Sequence, residues 1–159
     1  MDFRAVTEQE RIFLYNLLQK YLYEMTNYYG DDLDGEGNYP YPYFEAYFTD
    51  PTRQALFILE DGRIVGFTLL NRYSVMDRDI DHSVAEFCVL PKERGRNVGL
   101  RAAQSLFERY PGRWEIKYAA NNLRAAHLWE RAAEAYSPEK YTLPEGEEVL
   151  CFRSGQEGG

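Results

Sequence analysis

The sequence predicts a single α/β domain built on a mixed sheet, and three observations carry that reading. Apolar runs of β character alternate with apolar stripes of helical spacing. An Asp-Gly turn joins two of the β runs, and one further strand passes through a glycine-containing turn straight into a small-residue helix. The predicted order is β-αα-βββ-α-β-α-ββ. With 159 residues the chain suits one domain with a sizeable core, spanning residues 1–154, and no repeat or linker interrupts it.

Residues 3–6 read as a first strand. Thr7, with Glu10 three residues later, forms a capping-box pattern. Leu14, Leu17, Leu18, Tyr21, Leu22, Met25, Tyr28 and Tyr29 then follow at helical spacing until Gly30. Residues 31–43 are acidic, glycine-containing and twice broken by proline, which predicts a long surface loop of the kind that often carries function. Residues 43–48 predict a short helix closed by Asp50-Pro51. Two apolar runs, 55–59 and 64–70, flank Glu60-Asp61-Gly62-Arg63 and predict a hairpin. Residues 83–90 form a third run. Gly99, Ala102, Ala103, Leu106, Phe107 and Tyr110 mark the next helix, ended by Pro111-Gly112. A strand at 114–119, a helix at 122–136 and strands near 140–143 and 149–153 complete the chain. Residues 155–159 are expected to fray.

Composition narrows the function. The formal charge of −8 removes the usual electrostatic driver of nucleic-acid binding and favours cationic small molecules, or serves solubility alone. No stretch approaches the ~20 apolar residues of a membrane span, and Met1-Asp2-Phe3-Arg4 has no signal-peptide character. Cys88 and Cys151 are far apart, without disulfide or metal spacing, which fits a reducing, cytoplasmic setting. The 14 tyrosines imply a pocket or interface, or simply an aromatic core.

The chemistry concentrates in residues 85–129. Strand AEFCVLP leads through KERGRNVG into helix LRAAQSLF, so several backbone N–H groups and a helix dipole converge on one concavity suited to a pyrophosphate. Arg94 and Arg96 add formal charge. Read alone, Gly95 and Gly99 also fit ordinary turn and packing glycines. The segment is neither a Walker A loop nor a dinucleotide fingerprint.

At these residues the sequence resembles the GNAT N-acetyltransferases. The family pattern Arg/Gln-x-x-Gly-x-Gly/Ala falls on Arg94, Gly95, Arg96, Asn97, Val98 and Gly99, and Asn122 to Trp129 resembles the family's Asn-x-x-Ala-x-x-Leu/Phe-Tyr helix. The segments YLYEMTNYYG, PYFEAYF and PGRWE resemble one branch of that family, which sharpens the fold and implies no substrate. The resemblance implies a largely antiparallel sheet with helices on both faces. It implies acetyl-CoA as acetyl donor, no metal, and a homodimer by analogy. The pantetheine arm would lie beside Phe87, Cys88 and Val89. The pyrophosphate would sit over the amides of Arg94, Gly95, Arg96, Asn97, Val98, Gly99 and Leu100, with Asn122 nearby. Asn97 replaces the first signature glycine; Asn tolerates a left-handed backbone, while its side chain would crowd the phosphate and weaken binding. Trp129 stands where many relatives carry a tyrosine that protonates the departing thiolate, and an indole is no acid at neutral pH.

Acetyl transfer needs a neutral amine, and only about one lysine-like amine in two thousand is neutral at pH 7. A general base is therefore expected, and Glu86 is the candidate because its alternation partners Val84, Cys88 and Leu90 are apolar and would desolvate it. The competing reading is an edge-exposed or salt-bridged strand residue. His82 reads as a proton relay or a solvated loop residue, His127 as surface, and Cys88 as a small core residue. Asp32-x-Asp34-Gly35-x-Gly37 faintly resembles a calcium loop but lacks its later Glu. Those acids with Glu24 and Glu45, and Tyr28, Tyr39, Tyr41, Tyr43 and Tyr47, would collect and cage a cationic acceptor, or else form an aromatic flap over the sheet. Three functions remain open: an N-acetyltransferase acting on a small, cationic primary amine, a non-catalytic acyl-CoA sensor, and an acetylator of protein N-termini or lysines. The expected partner is a small-molecule amine, without nucleic acid or membrane.

Overall fold

The protein is described by a computed structural model covering residues 1–155, so the tail expected at 155–159 lies, past Gly155, outside the described residues. The capping box forms: Thr7 N–H donates to Glu10 Oε1 at 3.1 Å after the short strand β1 (Asp2–Ala5). It opens a single 3-10 turn, and α1 (Arg11–Met25) begins only afterwards, burying Leu14 and Leu18. The helix stops short of the predicted stripe. Thr26 and Asn27 donate their side chains to the carbonyls of Tyr23 and Glu24, offering the backbone an alternative to another helical turn. Tyr28 and Tyr29 therefore stand in a turn beyond it.

After the loop comes α2 (Ala46–Thr49), shorter than the predicted helix, and then the hairpin of β2 (Gln54–Glu60) and β3 (Arg63–Asn71). Asp61 and Gly62 both take positive φ, 53° and 76°, as the tight turn between twisted strands requires. Next come β4 (His82–Val89), α3 (Val98–Arg109), β5 (Gly112–Ala119), α4 (Leu123–Ala133), β6 (Glu139–Thr142) and β7 (Glu147–Ser154).

These strands form one seven-stranded sheet ordered β1-β2-β3-β4-β5-β7-β6, antiparallel except between β4 and β5. Helices cover both faces, as expected. On one, Leu56, Ile58, Val84 and Val89 pack with Ala102, Leu106, Phe107 and Trp129 of α3 and α4. On the other, Phe57, Phe67, Leu69 and Cys88 pack with Leu14 and Leu18 of α1 and with Tyr47.

Strand β4 is irregular in its pairing with β3. Leu69 pairs with Glu86 but Leu70 pairs with Val84, so Ala85 is a bulge. Val84 consequently packs toward α3, whereas Glu86 shares the α1 face with Cys88, beside Tyr21 and Tyr41. The simple alternation expected for Val84, Glu86 and Cys88 is thereby corrected. Farther along, β3 approaches so closely that a Cβ on Gly66 would lie 2.1 Å from the Cys88 carbonyl oxygen.

Candidate functional site

Parallel pairing of β4 with β5 covers only His82 with Trp114, Ser83 with Glu115 and Val84 with Ile116. Beyond Val84 the two strands diverge, and the gap opens into a cleft of about 880 Å³ that connects the two faces of the sheet. Glu86, Phe87, Cys88 and Val89 line it from β4, and Lys117, Tyr118 and Ala119 from β5.

At its α3 end lies the amide concavity. Asn97 adopts φ 57° and ψ 25°, the left-handed geometry that its short polar side chain tolerates. The helix's first hydrogen bond runs from Arg101 N–H to Asn97 O at 3.0 Å, so the amides of Val98, Gly99 and Leu100 precede any intrahelical partner. Gly95, Asn97, Val98, Gly99 and Leu100 all border the cleft. Gly99 sits close to β4 and α4: an added Cβ would meet Val89 Cγ2 at 3.6 Å and Leu128 Cδ1 at 3.7 Å. Asn122 accepts from Ala125 N–H at 3.1 Å, caps α4 and lines the cleft.

The two arginines of this loop diverge. Arg94 lines the cleft, donating through Nε to the Val89 carbonyl and through Nη2 to Glu24 Oε2 at 3.1 Å. Arg96 does not line it. Its guanidinium is drawn to Glu93, 2.6 Å away and 2% exposed, and to Glu60 on the hairpin. A charge-assisted bond to a buried carboxylate outweighs an open position at the loop tip, which corrects the expectation that Arg96 faces the concavity.

Glu86 is half-buried at the floor of the cleft. Its Oε2 is shielded from solvent and has no hydrogen-bond partner among the described residues. Burial pushes its carboxyl up to about 8, helped by the negative charge of Asp31 and opposed by Lys117. Cys88 also lines the cleft, but burial pushes its thiol up to about 11, which leaves it an inert core group. Trp129 is buried and meets Phe87 edge-on, ring centroids 4.9 Å apart, so the indole closes the α4 side of the cleft as packing. His82 stacks against Trp114 with Nε2 3.2 Å from the Pro111 carbonyl, outside the cleft, while His127 is exposed at its rim.

The expected acceptor residues separate. Tyr28 and Glu24 line the cleft, though Glu24 is paired with Arg94. Tyr39, Tyr43 and Tyr47 do not. Tyr39 is buried, its backbone N–H and carbonyl both bonded to the Gln19 side chain. Tyr43, Tyr47 and Tyr73 surround a cation of the chain itself: the Arg53 guanidinium lies 4.6, 5.5 and 4.6 Å from their ring centroids. Tyr41 stacks on Tyr47, and Glu45 pairs with Arg11. Asp34 accepts from the amides of Glu36 and Asn38 and shapes its own loop. Among the described residues no cluster of His, Cys, Asp and Glu is placed to hold a metal ion, and no helix is long and apolar enough to cross a membrane.

Sequence reasoning missed Glu115. It is 1% exposed and accepts from Ser74 Oγ and Val75 N–H, each at 2.6 Å, fixing the β3–β4 loop that brings Tyr73 and Val75 to the cleft. The available signal was an acid inside an apolar strand, the same signal that singled out Glu86.

A sheet parted between two parallel strands, with a helix start at the mouth of the gap, defines an α/β domain with an open cleft through its sheet. The chain belongs to the acetyltransferase (GNAT) family, whose model matches residues 13–133. No curated protein sequence matches significantly. Among solved structures, aminoglycoside acetyltransferase AAC(6')-Ib in complex with coenzyme A and kanamycin is similar at TM-score 0.67 and 14% identity, over 96% of this chain and 93% of that one. Spermidine N-acetyltransferase from Vibrio cholerae, in complex with CoA and spermine, gives TM-score 0.62 and 14% identity, over 96% and 93%. The GNAT domain of S. lividans PAT gives 0.63 and 17%, over 95% and 89%. At such identities the likeness concerns the fold.

Proposed function

We propose that this protein transfers the acetyl group of acetyl-CoA directly to the primary amine of a small molecule that is a cation in solution. The observation that carries the reading is Glu86, an unpartnered carboxylate on the α1 face of β4, directly beside the gap. The CoA pyrophosphate fits the free amides at the start of α3, with Arg94 alongside. The backbone of Phe87 to Val89, turned toward the gap, suits a pantetheine amide. Phe87 and Trp129 exclude water from one side.

Attack of the amine nitrogen on the thioester carbonyl forms the C–N bond, and departure of the thiolate breaks the C–S bond. Glu86 takes the amine proton, directly or through a water; its raised pKa matches a base working near neutrality. The thiolate is a tolerable leaving group, so the loss of a tyrosine at Trp129 is survivable. That same replacement, with the indole committed to the core, favours a second reading as an acyl-CoA sensor without turnover.

Calorimetric titration with acetyl-CoA and with unreactive desulfo-CoA, followed by amine-dependent thiol release from the wild type and Glu86→Gln, tests both. The transferase reading expects binding of both ligands, turnover with an amine, and loss in Glu86→Gln of the limb over which activity rises with pH. Binding without turnover over a broad amine panel would leave the sensor.

A further inference from the structure

The cleft is far less acidic than the chain. Its carboxylates are five, Glu24, Asp31, Glu86, Glu115 and Glu147, against four Lys and Arg cations, Arg94, Lys117, Arg124 and Arg131, with His127 at the rim. Most of the acids are already engaged. Glu24 is held by Arg94, Glu115 by Ser74 and Val75, and Glu147 by Lys117 at 3.7 Å and by the Tyr29 hydroxyl at 2.9 Å. Of these five acids only Glu86 and Asp31 lack a side-chain partner among the described residues, and Asp31 is exposed, where solvent screens it.

The α1 side of the cleft, beside these paired charges, also presents apolar surface. Leu22, Met25 and Tyr28 line it from one edge, and Tyr73 and Val75 from the other. Tyr73 and Val75 remain 52% and 45% exposed. They are also held in place: Tyr73 N–H donates to Asn71 Oδ1 at 3.0 Å, Arg53 lies over the Tyr73 ring, and Glu115 fixes Ser74 and Val75. A fixed, exposed apolar wall beside one unpartnered carboxylate favours an apolar occupant, because no loop ordering opposes its binding.

Resting on the acetyl-transfer reading, we infer that the acceptor is a small primary monoamine on an aromatic or alkyl body, its nitrogen at Glu86 and its body against Tyr73 and Val75, and not a polyamine or a polyaminated sugar. A second ammonium brought into the α1 side of this cleft finds only screened Asp31, and burying it without a partner is costly.

The test is calorimetric titration of the full chain, with desulfo-CoA present, with phenethylamine, hexylamine, spermidine and a short peptide with an apolar first residue. Phenethylamine and hexylamine should bind at least about tenfold more tightly than spermidine, and added salt should change their Kd by less than about twofold. Val75→Asp should narrow or reverse the preference. Tighter binding of spermidine or of the peptide, or binding of no amine, overturns the inference. Steady-state turnover with acetyl-CoA separates the two proposals. Monoamines that bind without being acetylated sink the transferase and leave the ligand class standing. Preferential acetylation of spermidine does the opposite.

Discussion

Arg94 and Glu24 face each other with two contacts of 3.1 Å, tying the loop before α3 to the last turn of α1 across the mouth of the cleft. Both side chains are partly exposed, so the pair itself is worth little, about 1 kcal/mol or less. Arg94 matters more because its Nε also holds the Val89 carbonyl. Glu24→Gln should leave the affinity for CoA within about threefold, whereas Arg94→Ala should weaken it about tenfold. Calorimetry on both variants checks the contrast.

Glu86 gives a pH dependence of stability with a definite sign. Its folded pKa, about 8, lies above the ordinary carboxylate value, so between the two the native state holds a proton that the unfolded chain has released. That contribution is complete below the unfolded pKa, is lost as pH rises, and is gone above about 8. Glu86→Gln cannot ionise. Its melting temperature relative to the wild type should therefore rise between about pH 5 and about pH 8.5, measured by denaturation at matched ionic strength; a constant difference would contradict the shift.

Gly66→Ala should be among the most damaging single changes. The added carbon would lie 2.1 Å from a backbone oxygen, so β3 and β4 must separate next to the cleft. A loss of about 3 kcal/mol or more is expected in urea unfolding.

Glu115→Ala removes the acceptor for Ser74 and Val75 and leaves two polar groups short of partners. About 2–3 kcal/mol of stability should go. Because the loop it holds carries Tyr73 and Val75, the KM for the amine should rise several-fold while that for acetyl-CoA stays within about twofold. A change confined to stability would reduce Glu115 to scaffolding.

Much of the architecture was legible in local chemistry. Asp61-Gly62 demanded a tight hairpin, Thr7 and Glu10 a capped start, and the run from Pro91 to Gly99 a strand-to-helix turn, because each requirement is met within a few residues. What escaped depends on partners distant in sequence. The bulge at Ala85 is set by pairing with β3, and no alternation pattern announces it. The aromatic cage was visible as tyrosines, yet the cation inside it is Arg53, and only the fold brings the two together. Arg96 was legible as a charge; its direction depends on Glu93, which the turn after β4 buries.

The three residue pairs that join β4 to β5 also make an internal seam. Four strands lie on one side of it and three on the other, and past Val84 the helices α3 and α4 hold the two slabs together without a ladder between them. Amide hydrogen exchange should therefore be uneven, with the facing edges around residues 85–89 and 117–119 opening at lower free energy than the hairpin of β2 and β3. A ligand strung through the gap would stitch those edges, so occupancy would register as slower exchange along the seam before any chemistry took place.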